Sequence, residues 1–226
     1  MKEIEEIKQI YEKRYANRSQ KLINRELLIY RKYNALLMNP KFNQHEMTGL
    51  DLGCGAGDKI MGFSEKFKAV LAVDISENAI ALCNKKFDSN IVKFKCCNAL
   101  NIKERFNVIT AFGFSLFNTN DNTKFVSLLE QLMEQNLKKN EEQIFIISSF
   151  TDFSGTGLES WYKHTKKDIK EIKHAIENST GLNVRVIFPH KKLKNYIGWG
   201  VYNFFAELGK LIIKRNKIFF IIVDNG

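Results

Sequence analysis

The pattern of apolar residues changes character near residue 40. Before it, apolar side chains recur at helical spacing, as in Ile4, Ile7 and Tyr11, and the Asn39-Pro40 pair ends the helical segment. From Gly49 onward the apolar residues form short continuous runs, which are typical of strands buried on both faces of a parallel sheet. The predicted strands are Gly49–Leu52, Ala69–Val73, Ile91–Cys97, Phe106–Phe112, Gln143–Phe150, Leu182–Phe188 and Lys217–Val223.

Helical segments separate most of these strands. The clearest is Asp121–Lys138, and a capping-box pattern from Thr165 to Asp168 opens another. A further helix is predicted over 195–215, between the last two strands. Alternating strands and helices favour a doubly wound α/β fold with a mostly parallel sheet. The sequence therefore predicts a seven-stranded sheet with an N-terminal helical cap and a helical insertion before the last strand.

The clearest functional signal is a glycine loop, Gly53-Cys54-Gly55-Ala56-Gly57, placed between the first strand and a helix. Glycines allow a tight turn there and let a ligand lie against bare backbone. About 20 residues further on, Asp74 ends the second strand, where a carboxylate can accept hydrogen bonds from both hydroxyls of a ribose. The spacing predicts a nucleotide or nucleoside site.

Two acidic residues distinguish between the ligands that share this geometry. Dinucleotide-binding loops place a third glycine where this chain has Asp58, and a carboxylate at that helix start repels a pyrophosphate. Asp51 is likewise foreign to the dinucleotide pattern. Both acids suit an adenosine with a cationic appendage, as in S-adenosylmethionine (SAM), which carries a sulfonium and an ammonium group.

The series Asp51-x-Gly53-x-Gly55-x-Gly57 with Asp74 resembles the motifs of the class I (Rossmann-like) SAM-dependent methyltransferases. The resemblance implies that Asp51 and the glycine loop hold the methionine end of SAM and that Asp74 holds the ribose. Asn98 stands where relatives often bind the adenine amine with an aspartate, and its side-chain oxygen can also accept. The product is S-adenosylhomocysteine (SAH). The implied cofactor residues are Tyr15, Arg18, Asp51, Gly53, Cys54, Gly55, Asp74, Ile75, Asn98, Ala99 and Phe112.

Catalysis needs alignment of the methyl group and, for some acceptors, a base. The candidates for a base are His164, His190 and Tyr162, which fall where this architecture places its acceptor loops. The candidate acceptor contacts are Phe114, Trp161, Tyr162 and His164. No metal site is expected, because the sequence shows no His, Cys, Asp or Glu cluster with ligand spacing.

A formal net charge of +10 bears on the acceptor. Many lysines follow the fifth strand, which favours an anionic small molecule or glycan, such as a phosphorylated cell-envelope precursor. An RNA or protein methyltransferase, or a SAM-binding protein without activity, stays open as an alternative. No nucleic-acid motif is present. The aromatic and basic stretch 195–215 suits a membrane surface, although packing on the sheet is favoured.

The length of the chain and its cysteines bear on domain organisation and on the cellular compartment. The 226 residues fit a helical cap over 1–40 followed by a methyltransferase domain over 41–226. The four cysteines lack zinc spacing, and the charged start of the chain lacks the apolar core of a signal peptide. We therefore expect a cytoplasmic protein, as a monomer or homodimer.

Overall fold

The computed structural model describes residues 2–16, 20–151, 161–189 and 217–226. Seven strands form one sheet: β1 Thr48–Leu52, β2 Ala69–Asp74, β3 Val92–Cys96, β4 Val108–Phe112, β5 Ile144–Thr151, β6 Asn183–Ile187 and β7 Lys217–Asp224. Six helices are described: α1 Lys2–Ala16, α2 Gln20–Leu37, α3 Asp58–Phe63, α4 Glu77–Lys86, α5 Asn122–Asn136 and α6 Lys166–Thr180.

The sheet has the strand order β3-β2-β1-β4-β5-β7-β6. Strands β1 to β5 run parallel, and β7 lies antiparallel between β5 and β6. The predicted fold class is therefore confirmed. The chain order reverses between β1 and β4, and in open α/β sheets ligands bind outside the carboxyl ends of the strands at such a switch point.

Both faces of the sheet are buried, which explains the continuous apolar runs. On one face, Ile109 and Phe145 join a core cluster with α5 and α6. On the other face, the neighbouring residues Val108 and Ile144 join a cluster with α2 and α3. Successive side chains of a strand point to opposite faces, so each strand serves both clusters.

Most predicted elements lie within two residues of their observed bounds. Strand β4 begins at Val108 rather than Phe106, because Phe106 bridges to Leu137 at the end of α5 instead of joining the neighbouring strands. The capping box is present, with the Thr165 hydroxyl and the Asp168 carboxylate each accepting from the other's backbone N–H.

The predicted N-terminal cap consists of two helices. Helix α2 shares a core cluster with the sheet, and the Tyr30 ring lies 4.7 Å from the ring of Phe112. A domain boundary at residue 40 stays a prediction, and the helix predicted over 195–215 lies outside the described residues. Within the described part of the chain, no helix is long and apolar enough to span a bilayer.

Candidate active site

A cavity of about 590 Å³ runs along the carboxyl edge of the sheet. Its lining follows the strand order across the switch point. The part beside β3, β2 and β1, here called the polar half, is lined by Ile4, Ile7, Tyr11, Arg14, Tyr15, Gly53, Cys54, Gly55, Ala56, Asp58, Asp74, Ile75, Asn98 and Ala99. The part beside β4, β5 and β7, here called the apolar half, is lined by Ile29, Tyr30, Tyr33, Lys59, Phe112, Gly113, Phe114, Ser115, Leu116, Ser148, Phe150, Trp161, Pro189 and Ile218.

The glycine loop needs its glycines at two positions above all. Gly53 and Gly55 have φ angles of 71° and 56°, a left-handed conformation that other residues adopt only at a cost. A Cβ atom at Gly55 would overlap the Tyr15 hydroxyl oxygen, and one at Gly53 would lie 2.7 Å from the Phe114 ring. The loop therefore lets both aromatic side chains lie directly on its backbone.

Asp74 links the glycine loop to the end of β2. Its carboxylate accepts from the backbone N–H of Gly55 at 2.8 Å and of Ser76 at 2.9 Å. Burial raises the pKa of Asp74, and these two hydrogen bonds oppose that rise. A carboxylate offers about four lone-pair sites. The two backbone bonds thus fix its orientation and leave it able to accept from a ligand in the cavity.

Asp51 is buried next to Thr110, its partner in the β1–β4 register. The Thr110 hydroxyl donates to the Asp51 carboxylate at 2.5 Å. Burial raises the pKa of Asp51 to about 7, against the lowering effects of the Thr110 hydrogen bond and the charge of Lys59. Asp51 is therefore close to half protonated at neutral pH, and a cation bound nearby would favour its ionised form.

Helix α1 covers the polar half of the cavity and is held by the start of α4. The Glu12 carboxylate accepts from the backbone N–H of Glu77 at 2.6 Å and of Asn78 at 3.1 Å, and from the Ser76 hydroxyl at 3.0 Å. A carboxylate at a helix N-terminus meets unpaired N–H donors and the positive end of the helix dipole. This contact positions Tyr15 on the glycine loop.

Asn98 lies at the far end of the polar half, after β3. Its side-chain oxygen accepts from the backbone N–H of Leu100 at 3.0 Å and so caps the short turn Ala99–Asn101. The cap fixes the side chain beside Ala99 in the cavity wall. An amide oxygen has a second lone pair, so the capped side chain can still accept from a ligand.

Lys59 enters the apolar half from the first turn of α3. Its ammonium donates to the Phe112 carbonyl at 2.7 Å and lies 5.8 Å from the centre of the Tyr30 ring. Gly113, with φ 74°, faces this ammonium, since a Cβ atom there would lie 3.3 Å from it and 4.0 Å from Trp161. Lys59 is a cavity residue that the sequence pattern did not indicate. Its one signal is its place two residues after the glycine loop.

A family comparison identifies the segment that carries this geometry. A family model described as a methyltransferase domain matches residues 50–136, which hold β1 to β4 and the glycine loop. The match shows a methyltransferase domain in this segment of the chain. No curated protein sequence matches the chain.

Solved methyltransferases share the fold of this one. The magnesium protoporphyrin IX methyltransferase of Synechocystis PCC 6803, with bound SAH, is 14% identical, with a TM-score of 0.60 over 95% of this chain and 92% of that one. The plantazolicin methyltransferase, with a substrate analogue and SAH, is 19% identical, with a TM-score of 0.58 over 96% and 91%. The geranyl diphosphate C-methyltransferase of Streptomyces coelicolor A3(2) is 14% identical, with a TM-score of 0.52 over 86% and 78%. At these identities the likeness concerns the fold.

Most residues that the sequence assigned to the methyltransferase site line the cavity. These are Tyr15, Gly53, Cys54, Gly55, Asp74, Ile75, Asn98, Ala99, Phe112, Phe114 and Trp161. Asp51 is an exception, because it lies buried behind the cavity wall and can act on a ligand through its charge alone. Arg18 and His190 lie outside the described residues.

His164 is placed differently from its prediction as a catalytic base or acceptor contact. The ring is fully buried, with ring centres of Phe125 and Phe219 each 5.7 Å away and that of Tyr162 4.9 Å away. Burial lowers its pKa to about 4. His164 is therefore a core residue and cannot reach an acceptor in the cavity.

Tyr162 also lies away from the cavity, contrary to its prediction as a base or acceptor contact. Its hydroxyl donates to Asp168 at 3.1 Å, so it supports the cap of α6. Among the described residues, no group of three or more His, Cys, Asp or Glu side chains is arranged to hold a metal ion. Of the four predicted acceptor contacts, Phe114 and Trp161 line the cavity.

Proposed function

We propose that this methyltransferase transfers the methyl group of SAM to a small, largely apolar organic acceptor. SAM binds in the polar half of the cavity, the acceptor binds in the apolar half, and SAH is the product. The observation that carries the proposal is one continuous cavity that has Asp74 and Asn98 on one side of the switch point between β1 and β4 and a mainly aromatic lining on the other.

The polar half offers a partner for each part of SAM. Asp74 is held in place to accept from the ribose hydroxyls, and Asn98 lies beside Ala99 where the adenine would end. The backbone of the glycine loop faces the methionine part. The ionisable Asp51 behind the loop favours positive charge at this point, where SAM places its sulfonium and ammonium groups and a dinucleotide places its anionic pyrophosphate.

The lining of the apolar half decides between acceptor classes. A glycan or sugar phosphate, which the charge of the chain suggested, carries many hydroxyls that lose hydrogen bonds against aromatic side chains. The described basic residues after β5, among them Lys163 and Lys167, do not line the cavity. The apolar lining instead favours a molecule that buries hydrocarbon surface, which contributes about 25 cal/mol per Å².

Methyl transfer from a sulfonium is an in-line displacement, so the protein's main task is alignment. The Phe114 ring lies directly on Gly53 of the glycine loop and also lines the cavity, so it stands where the two halves meet. SAM supplies the activated methyl group. Burial of the acceptor beside it excludes water from the reaction.

Calorimetric titration with SAM, SAH and NAD tests the cofactor assignment. We expect saturable binding of SAM and SAH and none of NAD. Asp74→Ala should weaken SAM binding by about 1–3 kcal/mol, since the ribose hydroxyls lose a buried charged acceptor. Asp74→Asn is the matched control, because it keeps one oxygen for the loop and should retain the fold. NAD binding without SAM binding would refute the proposal.

A further inference from the structure

Lys59 is the one cation among the described residues that line the apolar half. It comes from α3, yet its ammonium reaches the end of β4 and is held there by the Phe112 carbonyl at 2.7 Å. An ammonium in apolar surroundings interacts more strongly with an opposite charge than it would in water. Its position thus favours a negative group at this point of the acceptor.

Trp161 lies close to Gly113, as this ammonium does. A Cβ atom at Gly113 would come within 3.3 Å of the Lys59 nitrogen and 4.0 Å of the Trp161 ring, so both groups border the space that a side chain there would occupy. The Trp161 ring packs edge to face on Phe150, with ring centres 5.3 Å apart and planes at 71°. This space is therefore bordered by a positive group and by an aromatic ring that is packed on Phe150.

We propose that the acceptor is a flat, largely apolar molecule with one anionic group. Its apolar body packs on Trp161 and Phe150, and its anionic group pairs with the Lys59 ammonium. Burial of an anion in an apolar site is costly unless a cation meets it, and Lys59 supplies that cation. This inference rests on the proposed function, because it takes the apolar half as the acceptor site.

Two fluorescent probes with the same ring system test the two parts of this inference. 8-Anilinonaphthalene-1-sulfonate is an aromatic, largely apolar anion with a flat naphthalene ring, and N-phenyl-1-naphthylamine is its uncharged counterpart. Each is titrated into the free protein and into the SAH-loaded protein. We expect one saturable site for both probes. Lys59→Met, which keeps the length of the side chain and removes the charge, should weaken binding of the anionic probe about tenfold or more and leave the neutral probe within about twofold.

Matched variants separate recognition from folding. Lys59→Arg keeps the charge and should bind the anionic probe better than Lys59→Met does, at a similar melting temperature. Trp161→Ala should weaken the binding of both probes. If the alanine variant does not fold, Trp161→Phe is used in its place. An equal effect of Lys59→Met on the two probes, or no effect on either, overturns the inference.

The affinity for SAH distinguishes the failure of this inference from that of the proposed function. Lys59→Met should leave SAH binding within about twofold. If it weakens SAH binding and spares the anionic probe, Lys59 holds the carboxylate of the cofactor, and the inference is wrong. If the wild-type protein does not bind SAH, the proposed function fails, while the probe titrations of the free protein still decide whether Lys59 binds anions.

Discussion

Replacing Asp51 with asparagine should stabilise the fold and weaken SAM binding at the same time. Asp51 is fully buried, and burial raises its pKa from 3.8 to about 7. A carboxyl whose pKa is raised by folding holds its proton more tightly in the folded than in the unfolded chain. Its contribution to the free energy of unfolding is therefore intact at acid pH and is lost as the pH rises from about 4 to about 7.

The pKa shift sets the size of the effect. The rise of the Asp51 pKa from 3.8 to about 7 corresponds to roughly 4 kcal/mol at 1.36 kcal/mol per pKa unit. This is the extra cost of ionising Asp51 in the folded chain compared with the unfolded chain. The asparagine side chain carries no charge, and its oxygen can still accept from the Thr110 hydroxyl. At pH 8 the Asp51→Asn variant should thus gain up to about 4 kcal/mol. For SAM, a unit charge roughly 8 Å away is worth about 2 kcal/mol at an effective dielectric constant of 20.

Urea unfolding of both proteins between about pH 4 and pH 9 measures the stability effect, and calorimetric titration with SAM at about pH 8 measures the binding effect. The two stability curves should diverge as the pH rises and run parallel above about pH 8. SAH lacks the sulfonium charge, so its affinity should change less than that of SAM. A stability difference that is constant with pH, or an unchanged SAM affinity, would refute the role assigned to Asp51.

Two further substitutions test the glycine loop and the buried histidine. Gly55→Ala should abolish measurable SAM binding in calorimetry, because an alanine there combines a left-handed backbone with a Cβ atom that overlaps the Tyr15 hydroxyl. The double variant Gly55→Ala with Tyr15→Phe should recover part of the SAM binding, because it removes the hydroxyl that the Cβ atom overlaps. If no binding is recovered, the backbone strain at residue 55 alone accounts for the loss. His164→Leu should raise the free energy of unfolding more at pH 5 than at pH 8. Burial lowers the pKa of His164 from 6.5 to about 4, so the wild-type protein becomes more stable as the pH rises through that range. Leucine does not titrate, so its gain over the wild type is largest at the lower pH. Chemical unfolding at pH 5 and pH 8 measures this, and an equal gain at both would contradict it.

The fold could be predicted from the sequence because local signals agree with it. Continuous apolar runs mark strands buried on both faces, and a capping box places the start of α6 at Thr165. The glycine loop and Asp74 are also local, since a strand, a tight turn and the next strand bring them together. The hydrogen bond from Gly55 to Asp74 needs nothing from the rest of the chain.

The acceptor side could not be predicted, because it depends on directions of side chains that only tertiary structure sets. His164 and Trp161 stand three residues apart, yet one is in the core and the other lines the cavity. The segment between them is tied to the end of β5 by the bridge from Lys163 to Phe150, and this pairing turns the histidine inward. Lys59 is one of 35 lysines and arginines, and its reach to β4 follows from the pairing of β1 with β4.

The packing of α2 against β7 has a consequence for how the protein assembles. The Tyr30 and Tyr33 rings lie 6.4 and 5.2 Å from the ring of Phe220, so the apolar half of the cavity joins an early helix to the last strand. Contacts between distant parts of a chain form late, because closing the long loop between them costs entropy first. The polar half is built mainly from neighbouring βα units. During synthesis on the ribosome, the cofactor pocket can therefore form before β7 emerges, and the acceptor pocket is completed last.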